Sequence, residues 1–289
     1  MQVGTIRLWN RFWPFSLGKE LPNRLFARAA DMGLVRPIWF EFQSGLWMQL
    51  DIRDLVQETL LLECVWEPKT TRYLCDTLGL GQVFLDVGAN AGYFSLLASR
   101  CVGESGKVLA IEPNPAMAEQ LRHNARRSAR TNITIEEVAC SDSTKICNLY
   151  VGNAYNTGNS SLSDDNLAWT RSVKVNCTTV DLLMEKYGVE RVHLVKIDVE
   201  GAELQVLRGM ATTLKRLRPK IITELSPSLL KGFSVTLSAV REYLRGLGYS
   251  MTPLEADCKG RTTNYICVPV ECSERVHSSP TTAGQTISG

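Results

Sequence analysis

Histidine is scarce in this chain: three in 289 residues, His123, His193 and His277, far apart in sequence. That argues against a zinc site of ordinary His or Cys/His spacing and leaves little room for a histidine-based triad. A Cys-x-x-Cys pair is missing as well. The nine cysteines are odd in number and scattered, and several sit in apolar runs. They read as reduced core thiols of a cytoplasmic protein rather than a disulfide framework. Nor does one sign of charge dominate. The 32 basic and 30 acidic side chains leave a net charge of +2, without the basic footprint of a nucleic-acid-binding protein. Long apolar runs are absent too, because Pro14 and charged residues interrupt the aromatic and basic start (Arg7, Trp9, Arg11, Phe12, Trp13). That start reads as a helix packed on the domain, not as a membrane span or a signal peptide. No internal repeat is visible, and after Glu271 the Ser/Thr/Gly/Pro-rich end has no apolar period, so residues 271–289 read as a disordered tail.

What remains is an ordinary globular composition, 44% hydrophobic and 21% charged, long enough for one good core and an appendage. The first 66 residues form a lead-in. Residues 19–35 have helical spacing, and 37–42 and 46–50 read as a β-hairpin around Gln43-Ser44-Gly45. Residues 54–62 and 71–78 are helix-like, and this section is expected to lie over a ligand loop or pad the sheet edge. From residue 83 to 270 strand and helix patterns alternate. Strands are expected near 83–87, 107–111, 133–139, 193–198, 220–225, 248–254 and 264–269. Helices are expected near 92–101, 114–129, 178–187, 201–216 and 234–247. The pattern predicts an α/β fold, a mostly parallel sheet with helices on both faces, its last two strands an antiparallel hairpin. A strand pair (146–151 and 173–177) flanks a polar insertion loop that carries Trp169.

The organising stretch is Val83 to Leu96, an apolar strand, a Gly-Ala-Asn-Ala-Gly turn and a helix start. Such a corner holds ligands at the carboxyl end of an open α/β sheet. The dinucleotide fingerprint Gly-x-Gly-x-x-Gly is missing, and Asp86 stands just before the turn. A carboxylate there opposes a pyrophosphate and suits an ammonium. The next strand ends in Glu112-Pro113-Asn114-Pro115, where an acid ordinarily binds both ribose hydroxyls of a nucleoside. An acid near an amine and an acid on a ribose fit S-adenosylmethionine. A nicotinamide-dependent Rossmann enzyme and an inactive module of the same fold are the competing readings.

A second acidic cluster follows the fourth sheet strand, Lys196-Ile197-Asp198-Val199-Glu200-Gly201-Ala202-Glu203. Lys196 and Asp198 share one strand face. A lysine inside a buried strand needs a partner, and Asp86, Asp198 and Glu224 are available; a structural ion pair is the expectation. Glu203 is expected to cap or pair.

With Asp86 to Phe94, Glu112 to Pro115 and Lys196 to Glu203 in this order, the chain resembles the FkbM family of S-adenosylmethionine-dependent methyltransferases. Trp66-Glu67-Pro68 and Asn156 to Leu162 extend the resemblance, which covers about residues 45 to 226. It implies a seven-stranded class I methyltransferase fold and O-methylation of a sugar or polyketide-like small molecule. Carried over by position, Asp86, Gly88, Asn90 and Gly92 surround the methionine part of the cofactor. Glu112 takes the ribose, Pro113 and Asn114 shape the adenosine pocket, and Asp142 accepts from adenine N6, with Ser141 as its alternative. Glu67 approaches from the lead-in, Asp198 faces the methionine end or the substrate, and Glu200 faces the acceptor. Without a histidine in these motifs the base that takes the acceptor's proton is a carboxylate: Asp198 or Glu200, with Glu224 third. A divalent metal held by these acids is the other option, since oxygen ligands suit magnesium. The insertion loop is the candidate for acceptor recognition.

Overall fold

Residues 37–51, 54–152, 160–164, 170–255 and 262–270 are described by the computed structural model. The expected N-terminal helix at 19–35, the aromatic start, Trp169, residues 156–159 and the tail lie outside these residues.

An antiparallel hairpin, β1 (Ile38–Gln43) and β2 (Leu46–Leu50), comes first. Its inward residues, Phe40, Phe42, Leu46, Met48 and Leu50, are buried, as strict period-two alternation requires of a half-buried strand pair. A helix at Leu55–Glu63 follows, capped by Asp54, whose side chain accepts from the Gln57 amide. The helix Pro68–Thr77 begins with proline in its first turn, where no intrahelical N–H is needed.

The main sheet has seven strands: β3 (Val83–Val87), β4 (Lys107–Ile111), β5 (Ile133–Glu136), β10 (Leu194–Ile197), β11 (Lys220–Leu225), β12 (Tyr249–Pro253) and β13 (Thr263–Pro269). Their order across the sheet is β12-β13-β11-β10-β3-β4-β5. β13 runs antiparallel to both its neighbours, and the other pairs are parallel. The chain moves outward from β3 to β4 and β5, then returns to place β10 on the other side of β3. That reversal puts the topological switch point at the carboxyl ends of β3 and β10.

Alternation along β3 divides the core. Leu85 and Val87 join Val195, Ile197, Leu207 and Leu244 on one face. Phe84 joins Leu194, Leu96 and Leu97 on the other, together with the hairpin and the two lead-in helices. The lead-in therefore shares a core with the sheet. The bridge is Asn124, fully buried on the helix Pro115–Arg127. Its Oδ1 accepts from the Gln49 amide at 2.9 Å, and its Nδ2 donates to the Ala91 carbonyl at 2.8 Å. The hairpin is thus tied to the glycine turn.

Several elements depart from the sequence pattern. The strand expected over 133–139 ends at Glu136, and the chain changes partners: β6 (Ala139–Cys140) pairs with β9 (Arg171–Thr178). The insertion is a four-stranded sheet, β6-β9-β7-β8, not a strand pair, with β7 at Lys145–Val151 and β8 at Ser160–Ser161. Two-residue strands carry no periodicity, so sequence could not show them. The helix expected over 201–216 breaks at Met210 (φ −118°) into Glu203–Gly209 and Ala211–Arg216. A short helix at Pro227–Lys231 has too few turns to register as a pattern.

The seven described cysteines are free, and burial pushes the Cys101 and Cys267 thiols up to about 12, which leaves them as inert packing groups. No helix among the described residues is long and apolar enough to cross a membrane.

Candidate active site

The turn after β3 is shaped by three left-handed residues: Gly88 (φ +87°), Asn90 (φ +50°) and Gly92 (φ +94°). Gly88 allows a close approach between loops, because a Cβ there would lie 1.8 Å from the Asp198 carbonyl oxygen. Gly92 caps the helix Tyr93–Val102, and a Cβ on it would lie 2.0 Å from Leu121. The second loop, 198–202, is held against the first: the Asp198 amide donates to the Val87 carbonyl at 2.9 Å. Glu203 fixes its shape, accepting from the Gly201 and Val199 amides at 3.0 and 3.4 Å. Glu203, expected to cap or pair, instead binds the amides of the loop before its own helix, whose N-cap, Ala202, makes no side-chain cap bond.

One cavity opens at this switch point. Gly88, Asn90, Gly92, Glu112, Pro113, Glu67, Lys196, Asp198, Glu200 and Glu224 all line it. Among the predicted site residues, three do not. Asp86 is 1% exposed and stands behind the wall, its Oδ2 accepting from the Ser95 hydroxyl at 2.6 Å and its Oδ1 without a partner. Asn114 is buried as the cap of its helix; its amide donates to Glu112 Oε1 at 2.8 Å, so it shapes the pocket through Glu112. Asp142 is exposed, bound by the Ser143 hydroxyl and 3.7 Å from Lys145. Asp142 belongs to the surface turn before β7, outside the wall; apolar Val138, Ala139 and Cys140 line the cavity there instead. Sequence reasoning missed those residues, along with Met48, Gln57 and Trp66 from the lead-in. The Trp66-Glu67-Pro68 motif was the available signal for Trp66.

Glu112 directly follows β4, with both carboxylate oxygens taken by amides of neighbouring loops. Oε2 accepts from the Asn90 amide at 2.7 Å and Oε1 from the Asn114 amide at 2.8 Å. Each oxygen keeps a second lone pair, so a vicinal diol at the cavity wall can still donate to it. Asn90 thereby couples the glycine turn to Glu112.

The acids crowd one another, and their proton affinities rise. Burial pushes Glu112 up to about 7 against the two amides that hold it down. Burial likewise takes Asp86 to about 6, with Lys196 and Ser95 opposing, and takes Glu203 to about 7. Glu200 reaches about 8 through burial, then Asp198 and Glu203. Glu224 reaches about 10, chiefly from the neighbouring Asp198 charge and then from burial. Glu67 is raised by burial, with Lys196 opposing; its Oε2 accepts from Asn264 Nδ2 at 3.0 Å. Glu67, Asp198 and Glu224 bring carboxylate oxygens within 4.8 Å of one another, a spacing that could hold a cation.

These shifts have a consequence for stability. The unfolded chain releases these protons near pH 4, whereas the native state keeps them to about pH 6–8. The contribution is therefore fully present below the unfolded values and is lost as pH rises through the folded ones. In urea titrations of the ligand-free protein the midpoint is expected to fall between about pH 5 and about pH 8.5. A midpoint that climbs over that range would contradict the account.

No histidine lines the cavity among the described residues. His193 lies at the opposite end of β3, where its Nδ1 accepts from the Val83 amide at 3.0 Å, and His123 pairs with Glu119 at the surface.

A seven-stranded sheet in this order, with a glycine turn after β3 and an acid just after the neighbouring β4, defines a class I methyltransferase. A family model described as the methyltransferase FkbM domain matches residues 86–251. The chain belongs to this family, and it is an S-adenosylmethionine-dependent methyltransferase. Hexuronic acid methyltransferase AglP of Haloferax volcanii is 27% identical over 187 residues, 65% of this chain and 74% of that protein. Methyltransferase sdnD of Sordaria araneosa is 32% identical over 156 residues, 44% of this chain and 59% of that protein. The solved FkbM methyltransferase of Methylobacillus flagellatus KT is 15% identical with a TM-score of 0.46, covering 73% of this chain and 52% of that one.

Proposed function

We propose that the chain methylates a hydroxyl of a small molecule, a sugar or a polyketide-like compound, with a carboxylate as the base. The observation that carries this is the group of acids, Asp198, Glu200 and Glu224, that lines the cavity together with Glu112, with no histidine among the described lining residues. A sugar-type hydroxyl is a poor nucleophile at neutral pH, and a positioned base helps as its proton leaves. The name of AglP, which speaks of a hexuronic acid, supports a sugar-derived acceptor.

The residues divide the work. Glu112 would hold the ribose, Pro113, Val138 and Cys140 would flank the base, and the amides of the glycine turn, with Asn90, would border the methionine end. Bound there, S-adenosylmethionine supplies an electrophilic methyl group. Glu200 is the best-placed proton acceptor: it ends the tight loop 198–200, lines the cavity, and is raised to about 8, within reach of neutral pH. Its carbonyl accepts from the Ser161 hydroxyl at 2.8 Å, which brings the insertion sheet to the same wall. Asp198 is the second candidate. Glu224, raised to about 10 chiefly by the Asp198 charge and then by burial, is the third candidate.

Two measurements test this reading. Methyl-labelled S-adenosylmethionine with a panel of sugars, uronic acids, phenols and amines should place the label in a methyl ether, read by mass spectrometry. Label found only on amines would contradict it. Glu200→Gln is expected to slow turnover by roughly 10²–10⁴-fold while S-adenosylhomocysteine affinity stays within a few-fold. The reverse pattern would make Glu200 a cofactor ligand.

A further inference from the structure

Lys196 has no part in the division of work above, yet it lines the same cavity. It stands inside β10, 2% exposed, in register with Asp86 on β3. Lysine is almost never buried to this degree without partners. Here the ammonium donates to Asp198 Oδ2 at 2.7 Å and lies 4.7 Å from the centre of the Phe94 ring. Phe94 belongs to the helix that starts at the glycine turn, so the charge is boxed between the cofactor loop and the acid cluster. Burial acts to strip its proton, but Asp198, Glu67 and Asp86 outweigh that and keep the group charged. The same acids, Glu67 and Asp198 with Glu224, are those whose oxygens gather within 4.8 Å. An ammonium is a compact point charge on a flexible stem, able to offset carboxylates as a bound metal ion would.

We propose that Lys196 is a positioning residue of the acceptor side: its ammonium is the resident cation of the Glu67–Asp198–Glu224 cluster, holding Asp198 toward the cavity in place of a divalent metal. This rests on the reading that the cluster borders the acceptor, but its test needs no acceptor. A structural ion pair for Lys196 is the simpler expectation from sequence. A site that three clustered carboxylates leave otherwise suited to a cation asks more of it, because the lysine then decides which cation the cluster holds.

The test uses the full-length protein and Mn²⁺ as the probe, titrated by calorimetry and by electron paramagnetic resonance, with and without S-adenosylhomocysteine. Wild type and Lys196→Arg are expected to bind no stoichiometric Mn²⁺ at millimolar concentration. Lys196→Met is expected to gain one Mn²⁺ site at least roughly tenfold tighter, lost again in the Lys196→Met/Glu224→Gln double variant. A lysine that merely fills space would not create a metal site on removal. One stoichiometric Mn²⁺ on the wild type, abolished by Glu224→Gln, would overturn the proposal, as would a folded Lys196→Met that gains nothing. Should Lys196→Met fail to fold, the wild-type and Lys196→Arg titrations still decide. Whether the homocysteine product binds is read in the same experiment, and its failure would count against the cofactor site rather than against the role of Lys196.

Discussion

Replacing Gly88 by alanine is expected to be the most damaging single-atom change in the protein. The position has φ +87°, and the added Cβ would fall 1.8 Å from the Asp198 carbonyl oxygen. Left-handed backbone costs an L-residue roughly 1–2 kcal/mol, and forcing carbon into a filled space costs roughly 1–3 kcal/mol more. Neither side can yield easily. Asp198 is anchored through its amide to Val87, and the Gly88 and Ala89 amides both donate to the Ile111 carbonyl. A loss of about 2–5 kcal/mol in urea unfolding is expected, with S-adenosylhomocysteine binding lost as the two loops separate. An unchanged midpoint with intact binding would show that the loops do not need this close approach.

The second large effect is at Glu112. Alanine there removes the acceptor of two backbone amides, Asn90 and Asn114, and each unsatisfied buried group costs roughly 1–3 kcal/mol. The ribose contact proposed for Glu112 would go as well. Cofactor affinity is expected to fall by roughly 10- to 100-fold, because each 1.4 kcal/mol is tenfold and the glycine turn loses the bond that sets Asn90. Glu112→Gln separates the two contributions: its one carbonyl oxygen still accepts, so stability should fall less than in the alanine variant while affinity stays reduced. Calorimetry beside urea unfolding reads both. Unchanged affinity in Glu112→Ala would mean that the ribose lies elsewhere.

These two positions were legible in the sequence because the signals are local. Four apolar residues around Asp86, a Gly-x-x-x-Gly turn and an acid just after the following strand specify a strand, a bend and part of the cavity wall within thirty residues. The main sheet was legible for the same reason, since each strand–helix pair carries its own change of period. Asp86 shows the limit. Its place before the turn suggested a contact with the cofactor, but alternation puts its side chain on the Phe84 face, where Ser95 and Lys196 enclose it. Asp142 misled differently: it follows the strand expected to end at 139, and the chain had already left the main sheet at Glu136. The lead-in was expected over the ligand loop, but which of its residues besides Glu67 reach the cavity could not be read from pattern. Asn124 bonds to Gln49 across 75 residues, and Ser161 to Glu200 across 39; contacts of that span leave no periodicity.

The account stands on one placement of the nucleoside, and a crystal structure with S-adenosylhomocysteine tests it most directly. Both ribose hydroxyls should lie within hydrogen-bond distance of Glu112, the adenine between Pro113 and Cys140, and the sulfur should face Asp198 and Glu200 across the glycine turn. Density for the nucleoside away from Glu112, or a sulfur directed away from the 198–200 loop, would contradict it.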